Sequence, residues 1–493
     1  MHKTYKLLTL FLVLAFSFAS ISLYAQTTKS ADSKPQKIKS TVITSDLNGF
    51  SVRIPDSARK TTDKDARYLA QWGSFDKDAN PLWRITISKR TGISSKLEMD
   101  KYVKYLAGSL ESSSGNRADI ISARATLISN RNSAYIEGKV YNISKKEAMS
   151  TGMDRKLISV FYQTHIIYKP GVMITFQFEA VSKVKNASQI WNKICKSINI
   201  FDNTDAIKQA EQAAANTIKL LKNLSAKKVA NCLPKKPKYF ILYKNHKPVG
   251  WIRETYKQTE RDNTDGFLNQ TYGYLFVPKK ATVKDSVNLM QLLRSNSFLS
   301  DNFDVERWSR HTQISVPGNA KTQTQVLMNI GIRKQLLIVT TAGSDKDTKY
   351  NQKEIPKKIS RILLDKTIEK LFTRLINLKD EKQYSFSTYN SEDDQFTFKN
   401  YTVCKPCKTL VQGRTVNAIK IEYLPAQFEK KLEIYVDAKG NILKRTLENG
   451  ITQEAASWDQ IKVTFTDKRH AEPTKLLNAM IKASQQNSGD INY

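Results

Sequence analysis

Cysteine and histidine, on which most zinc sites and many catalytic centres depend, are scarce: the 493 residues include four cysteines and five histidines. No HExxH, GxSxG or P-loop spacing occurs, which excludes the common metalloproteases, serine hydrolases and P-loop NTPases. We therefore expect no catalytic constellation, no cofactor and no metal. An enzyme of another type stays an alternative, because carboxylate-based sites leave weak sequence signatures. The histidines after the N-terminal segment fall on strand-like, turn and tail positions: His165, His246, His311 and His470.

Acidic residues are also in deficit. The chain has 46 Asp and Glu against 79 Lys and Arg, a formal charge of +33. Such an excess favours a polyanionic partner, either an anionic envelope polymer or lipid headgroups. The lysines are spread along the chain, however, which is typical of a solvated basic surface. A nucleic-acid partner is not expected, because the N-terminal segment predicts an exported protein.

Long hydrophobic runs are missing after the first 25 residues, so we expect no transmembrane span and a soluble mature protein. The exception is "MHKTYKLLTLFLVLAFSFASISLYAQTT", in which Lys3 and Lys6 precede an apolar stretch that ends before Ala25. This order predicts a secretory signal peptide, 1–25, and a secreted or periplasmic location. A membrane anchor is the alternative, but the apolar core of about a dozen residues falls short of the ~20 needed. A polar leader, 26–40, follows.

The stretch "NYTVCKPCKTLVQG" places Cys404 and Cys407 in a CxxC spacing. A redox-active cysteine of this type sits at a helix N-terminus, where the helix dipole lowers its pKa. The residues after Cys407 are strand-like, and zinc would need two more ligands. We expect a structural disulfide in a turn, worth roughly 2 kcal/mol, with a redox-active pair and a metal site as the alternatives. Cys195 and Cys232 flank a predicted helix and either form a bridge or stay free.

Two further groups of side chains have a functional and a structural interpretation. An acidic trio in "YNSEDDQF" could bind a cation, but solvated acids are common in hairpin turns. Strand aromatics of the second half could line a binding face, but such residues more often pack a sheet. These candidates are Glu392, Asp393 and Asp394, and Trp251, Tyr256, Tyr272 and Tyr274.

The first part of the chain alternates between strand and helix patterns. "GFSVRIP" (49–55) has the period of a strand, residues 97–110 have a helical spacing, and "SQIWNKICKSINIF" forms a closing helix. This order resembles PsbP-like domains over residues 41–202. The resemblance implies an α/β/α sandwich with an antiparallel sheet, and it transfers no functional residue.

The second part has strands on both sides of one helix, predicted over 356–378. "YKNHKPVGW", "IPKKISRILLDK", "LVQGRTVNAIKIEY" and "YVDAKGNILKR" resemble secreted bacterial domains with the curved half-barrel of LolA-type lipoprotein carriers. The resemblance covers about 238–466 and implies that a helix plugs the concave face of a bent sheet, where the cavity can take an acyl chain. The carriers' lipid-contacting positions are not identifiable here.

The sequence thus predicts an α+β protein of two domains, a sandwich and a half-barrel, joined by one amphipathic helix over 205–230. We expect an exported, non-catalytic protein that binds an apolar or lipid ligand in its half-barrel. The alternatives are a basic adaptor on an anionic polymer or lipid headgroups, and a thiol–disulfide protein. The predicted segments are signal peptide 1–25, leader 26–40, PsbP-like domain 41–202, connector 203–237, half-barrel 238–466 and tail 467–493.

Overall fold

The chain divides into two compact units, Met1–Ala206 and Ile207–Tyr493. The domain limits predicted at 202 and 238 stay predictions. The computed structural model describes residues 39–61, 68–94, 96–278, 288–315, 322–333, 336–342, 348–390, 395–426, 429, 431–447, 450–466 and 468–486.

Ten strands and three helices make up the described part of the first unit. The strands are β1 (Ser40–Ser45), β2 (Phe50–Pro55), β3 (Arg59–Lys60), β4 (Tyr68–Phe75), β5 (Pro81–Thr91), β6 (Ala118–Ile128), β7 (Arg131–Tyr141), β8 (Leu157–Lys169), β9 (Val172–Val181) and β10 (Asn199–Ile200). The helices are α1 (Met99–Ser113), α2 (Lys145–Thr151) and α3 (Ala187–Lys196). Within the described residues the strands form two antiparallel sheets, in the orders β1-β2-β10 and β3-β4-β5-β9-β8-β7-β6.

The predicted "GFSVRIP" strand is β2, and its alternation shows why it forms. Phe50, Val52 and Ile54 are buried while Arg53 is exposed. The Phe50 ring meets Phe176 of β9 edge to face, 5.4 Å between centroids. Period-2 hydrophobicity therefore ties the small sheet to the core of the large one.

The second unit contains fourteen described strands in one antiparallel sheet. They are β11 (Lys238–Lys244), β12 (Lys247–Arg261), β13 (Thr264–Pro278), β14 (Asn288–Ser300), β15 (Val305–Ser315), β16 (Thr322–Arg333), β17 (Leu336–Ala342), β18 (Thr348–Glu354), β19 (Gln383–Asn390), β20 (Gln395–Val411), β21 (Arg414–Leu424), β22 (Leu432–Val436), β23 (Ile442–Thr446) and β24 (Thr452–Ala456). The order is β18-β17-β16-β15-β14-β13-β12-β11-β24-β23-β22-β21-β20-β19, so the sheet is open, with β18 and β19 at its edges.

The helices of this part are α4 (Thr204–Lys222), α5 (Ala226–Cys232), α6 (Lys357–Ser360), α7 (Lys366–Leu375), α8 (Trp458–Thr464) and α9 (Lys468–Gln486). Two helices predicted as continuous are interrupted. The helix predicted over 205–230 breaks before Ser225, whose side chain caps α5 by accepting from Lys228 N–H. The helix predicted over 356–378 breaks because Ile362 and Leu364 pair with the backbone of Ser387 instead.

The sheet bends tightly around α7. In a flat sheet, the nine intervals between β14 and β19 would separate these strands by roughly 43 Å. Yet Thr367 Oγ1 of α7 lies 3.0 Å from Ser297 Oγ of β14, and the Phe372 ring lies 4.6 Å from the Phe386 ring of β19. One ten-residue helix thus contacts both strands, which confirms the predicted open, curved antiparallel sheet with a helix in its concave face. We call this concave face the trough.

The opposite face of the same strands is covered by the C-terminal helices. Tyr272 and Tyr274 of β13 pack with Ile461 of α8 and with Leu477 and Ile481 of α9. The segment predicted as a tail therefore contributes to a core, because Leu477 and Ile481 recur at helical spacing.

The mixed composition, 25% helix and 51% strand, confirms the α+β class. In the residues that the structure describes, no helix combines the length and the apolar character that crossing a membrane requires.

Candidate functional site

The apolar side of α7 fills the trough. Ile368, Leu371 and Phe372 are at most 1% exposed. The Phe372 ring contacts Tyr384 and Tyr401 edge to face, with centroids 5.8 and 5.4 Å away. Since rings packed this closely leave little room for a second molecule, an acyl ligand could enter here only where α7 moves.

The other side of α7 carries charge into the trough. Lys370 Nζ donates to Asn269 Oδ1 and, over 2.8 Å, to Thr271 Oγ1. Burial, partly opposed by the Glu254 carboxylate, lowers the pKa of Lys370 to about 8. The two hydrogen-bond acceptors of Lys370 are both uncharged. Because its pKa is about 8, a fraction of the side chain is a neutral amine near physiological pH.

Glu254 completes this polar centre from the next strand. It pairs in register with Thr271, and Tyr256 O–H donates to it over 3.1 Å. Burial and the Glu254 charge raise the pKa of Tyr256 well above its usual value, so the phenol stays neutral. The Arg445 guanidinium lies 4.0 Å from the Glu254 carboxylate. We call Glu254, Tyr256, Lys370 and Arg445 the trough centre.

A second ionic group fixes the middle of α7. Glu369 accepts from Lys399 Nζ of β20 over 2.6 Å and lies 3.5 Å from Lys366 Nζ. Burial raises the pKa of Glu369, but the two lysines outweigh it and lower that pKa to about 2. Glu369 therefore stays ionised at every physiological pH.

Two carboxyl groups meet at the N-terminus of α7. Glu306 of β15 is 2% exposed and accepts from Thr367 N–H over 3.2 Å. Burial and the charge of Asp365 raise the pKa of Glu306 well above its usual value, and burial raises that of Asp365 to about 7. Like charges this close resist joint ionisation, so the pair holds a proton near neutral pH.

These groups supply acid and base character. No cluster of three or more His, Cys, Asp or Glu in the described ranges could hold a metal ion. The arrangement is suited to binding an anionic or hydrogen-bonding head group and to responding to pH.

Cys404 and Cys407 lie within β20, where the pairing with β21 shifts between Val403 and Pro406. The predicted turn is wrong: the motif forms a bulge in a strand, because pairing with β21 continues to Val411. The two thiols are not bonded to each other. Burial raises the pKa of Cys404, opposite to what a reactive thiolate requires. The disulfide itself stays a prediction.

The other cysteines occupy separate packing sites. Cys195 lies 3.9 Å from Thr164 Oγ1, and burial raises its pKa. Cys232 Sγ lies 3.5 Å from the carbonyl oxygen of Arg374. Both thiols are unbonded, which is the second of the two alternatives that the sequence left open.

The histidines have structural surroundings. His165 is enclosed by Gln163, Thr175 and Tyr102, and burial lowers its pKa to about 3. His246 occupies the turn between β11 and β12 with positive φ. Burial and Arg294 lower the pKa of His311. His470, predicted to lie in a polar tail, is instead buried in α9 at 2.9 Å from Tyr274 Oη.

The predicted aromatic candidates divide between the two faces of the sheet. Only Tyr256 among them lies in the trough centre, whereas Trp251, Tyr272 and Tyr274 belong to the core under α8 and α9. Glu392, Asp393 and Asp394 lie outside the described residues.

The sequence interpretation missed the charged residues of the trough: Glu254, Glu306, Asp365, Glu369, Lys370, Lys399 and Arg445. Alternating charges on a helix normally indicate a solvated face. One feature of the sequence could have indicated these residues: the helix stands between two groups of strands along the chain. A helix covered by strands on all sides has to bury its charged residues as well.

No family model matches this sequence. The comparison with curated proteins also gives no match. Among solved structures, the chain is similar to the cyanobacterial PsbP (CyanoP) of Synechocystis sp. PCC 6803, with 11% identity over 35% of this chain and 98% of that one and a TM-score of 0.27. It is similar to a beta-barrel-like protein of domain of unknown function DUF1849 from Brucella abortus, with 10% identity over 45% and 95% and a TM-score of 0.31.

A third similar structure is the Ran-binding protein Mog1p of Saccharomyces cerevisiae, with 7% identity over 34% of this chain and 98% of that one and a TM-score of 0.26. Scores of this size assign the chain to no family and carry no statement about its function. The resemblances to PsbP-like and LolA-type domains therefore stay predictions from the sequence.

Proposed function

We propose that this chain is an exported, non-catalytic protein of the envelope or the extracellular space that binds the acyl chain of a lipid in the trough. In this proposal α7 is a plug that moves aside when the ligand enters. The observation that carries it is the position of α7, whose apolar side chains cover the trough as an acyl chain would.

The attachment of α7 supports a movable plug. A permanently closed core is normally filled by apolar side chains, because burying charge carries a desolvation penalty. Here Lys370 and the Glu306–Asp365 pair attach the helix through groups whose protonation can change, and Glu369 attaches it through an ion pair that water can replace. The helix is short, with only ten residues.

The trough centre supports a ligand with a polar head. Lys370 and Arg445 provide two cations beside one carboxylate, Glu254. The Arg445 side chain is 29% exposed and can reach a group that enters from solvent. A carboxylate or phosphate head therefore suits this end of the trough.

The proposal is tested by locking the plug. Thr367 and Ser297 are both fully buried and their hydroxyl oxygens lie 3.0 Å apart, so cysteines at both positions are close enough for a disulfide. We expect the oxidised variant Thr367→Cys/Ser297→Cys to lose binding of a fluorescent fatty acid, and reduction to restore it.

The controls are the wild-type chain under the same oxidant and the variant kept reduced throughout. Mass spectrometry should show the new bond before binding is measured. If the oxidised variant binds the fatty acid as well as the wild type does, the ligand does not need α7 to move and the plug proposal is wrong.

A second candidate function is that of a basic adaptor which docks on an anionic envelope polymer or on lipid headgroups. The excess of 79 basic over 46 acidic residues favours it. Ionic strength separates the two functions: adaptor binding should weaken steeply as salt rises, whereas burial of an acyl chain should hardly change.

A further inference from the structure

A basic cleft of about 470 Å³ lies in the first unit, between β2 and the C-terminal end of α3. It is lined by Arg53 and Pro55 of β2, and by Ile190, Lys193, Lys196 and Ser197. It has the volume of a small-ligand site, since such pockets measure roughly 300–1,000 Å³.

The backbone on the two sides of the cleft is held together at Ser197. Ser197 Oγ donates to the Ile194 carbonyl over 2.6 Å and accepts from Arg53 N–H over 2.8 Å. Immediately beyond, β10 pairs with Ser51 and Phe50 of β2. The end of α3 is therefore attached to β2 at Ser197 and again through β10.

Positive charge in the cleft has no counter-charge. In the part of the chain that the structure describes, none of Arg53, Lys193 and Lys196 has an ion-pair partner, and no carboxylate lines the cleft. Lys193 and Lys196 complement the dipole at the end of α3. The helix dipole explains the two lysines but not Arg53, which lies on β2. Three cations therefore meet in the cleft, one more than the helix end explains.

An exposed apolar side chain lies beside these cations. Val42 of β1 pairs in register with Arg53 and so projects from the same face of the small sheet. Its side chain is 52% exposed. At a membrane surface, cations bind the lipid phosphates while an apolar side chain inserts toward the acyl chains. An exposed apolar side chain would not contribute to the binding of a free ion.

We propose that this cleft docks the first unit on a membrane surface by binding the phosphate of an anionic phospholipid, with Val42 inserted among the headgroups. The proposal does not rest on the function proposed for the trough. Each cation near an anionic surface strengthens binding about fivefold, so the three together contribute roughly a hundredfold.

The test is flotation of the full mature chain with vesicles of phosphatidylcholine, with and without phosphatidylglycerol. We expect binding only to the vesicles with phosphatidylglycerol. The variant Arg53→Gln/Lys193→Gln/Lys196→Gln should bind them roughly a hundredfold more weakly.

A matched variant, Arg59→Gln/Lys104→Gln/Lys146→Gln, removes the same charge from exposed positions elsewhere in the unit. It should keep most of the binding. Equal losses in both variants would show a general charge effect and overturn the proposal. Inorganic phosphate should displace the chain from these vesicles more than sodium chloride does at equal ionic strength, because it competes for the same three cations. Binding of inorganic phosphate in the cleft without any binding to vesicles that contain phosphatidylglycerol would assign the cleft to a soluble phosphate and also overturn the proposal.

Discussion

Glu306 and Asp365 are the residues whose chemistry depends most on pH. The unfolded chain ionises both carboxyls near pH 4. In the folded chain burial raises both pKa values, that of Asp365 to about 7, and the Asp365 charge raises that of Glu306 further. A raised carboxyl pKa means that the folded state retains protons which the unfolded state has released. The stability associated with this pair is therefore fully present below about pH 4 and is lost as the pH rises through about 7. Glu369, with a pKa of about 2, has the opposite sign: its contribution is present above about pH 5 and is lost only as the pH falls toward 2.

The loss of stability with rising pH is tested by Glu306→Gln. This variant keeps an acceptor for Thr367 N–H but removes the charge repulsion between Glu306 and Asp365. Between pH 5 and pH 8, the free energy of opening of α7 should fall in the wild type by roughly 1–3 kcal/mol more than in the variant. Hydrogen exchange of the α7 amides measures this free energy locally. Glu98→Gln, at a side chain 65% exposed, is the control and should retain the wild-type slope. If the free energy of opening depends on pH equally in the wild type and in Glu306→Gln, the Glu306–Asp365 pair does not control the pH response of α7.

Cys404 and Cys407 give a second prediction at this scale. Because burial raises the pKa of Cys404 and no helix begins at the motif, the pair should fail to catalyse insulin reduction. Both thiols are free in this structure, so the disulfide predicted from the sequence needs its own test: if it forms on export, thiol labelling of protein from its own host should find both cysteines oxidised. Cys407→Ser should fold with a loss of about 2 kcal/mol. Reductase activity that disappears in Cys407→Ser would instead make the motif a redox centre.

The trough residues also show what a sequence can indicate about a site. The helix that carries Lys370 was predictable from its spacing, but the acceptors of Lys370, Asn269 and Thr271, lie about a hundred positions earlier. Glu306, which holds the start of α7, precedes Thr367 by 61 positions. Periodicity reports neighbours on the same element, so it could identify the helix and not the charges facing it.

At the scale of elements, α7 is the part on which the proposed function depends. Its prediction as one helix over 356–378 was too long, because propensity cannot anticipate that Ser387 of β19 pairs with the backbone of Ile362 and Leu364. The interruption leaves α7 as a short separate helix between two groups of strands, which is the geometry that a plug needs.

Phe372→Ala tests whether α7 closes the trough. The Phe372 ring is fully buried, so its removal should lower the free energy of opening of α7 by about 3–5 kcal/mol. If the plug competes with the ligand, the same change should tighten binding of a fluorescent fatty acid at least about tenfold, because the open form becomes more populated. Phe398→Ala, at a ring 48% exposed, should change neither quantity appreciably. Loss of stability without tighter binding would argue that α7 is only a structural core helix.

At the scale of the whole molecule, hydrophobic periodicity was sufficient for the α+β class, because strand patterns recur along the chain. The curvature of the sheet was implied only by the resemblance to LolA-type domains. The C-terminal segment was harder to interpret. Few apolar residues mark it, yet Leu477 and Ile481 cover Tyr272 and Tyr274 on the face opposite the trough. A short apolar stripe indicates a helix but not the sheet on which it packs.

Export is also a property of the whole molecule. The order of charged, apolar and small residues before Gln26 predicts cleavage after Ala25, which removes two lysines and leaves a formal charge of 33 less 2, or +31. N-terminal sequencing of the protein from its own host should begin at Gln26. A chain that retains Met1 would contradict export by a cleaved signal peptide.

The most direct test of the central claim is native mass spectrometry of the protein purified from its own host, followed by lipid extraction. We predict a bound lipid whose mass matches a species in the extract. Phe372→Ala should retain this lipid at high salt, where purely electrostatic binding is screened. A protein that is empty and binds fatty-acid probes no better than its denatured form would contradict the claim.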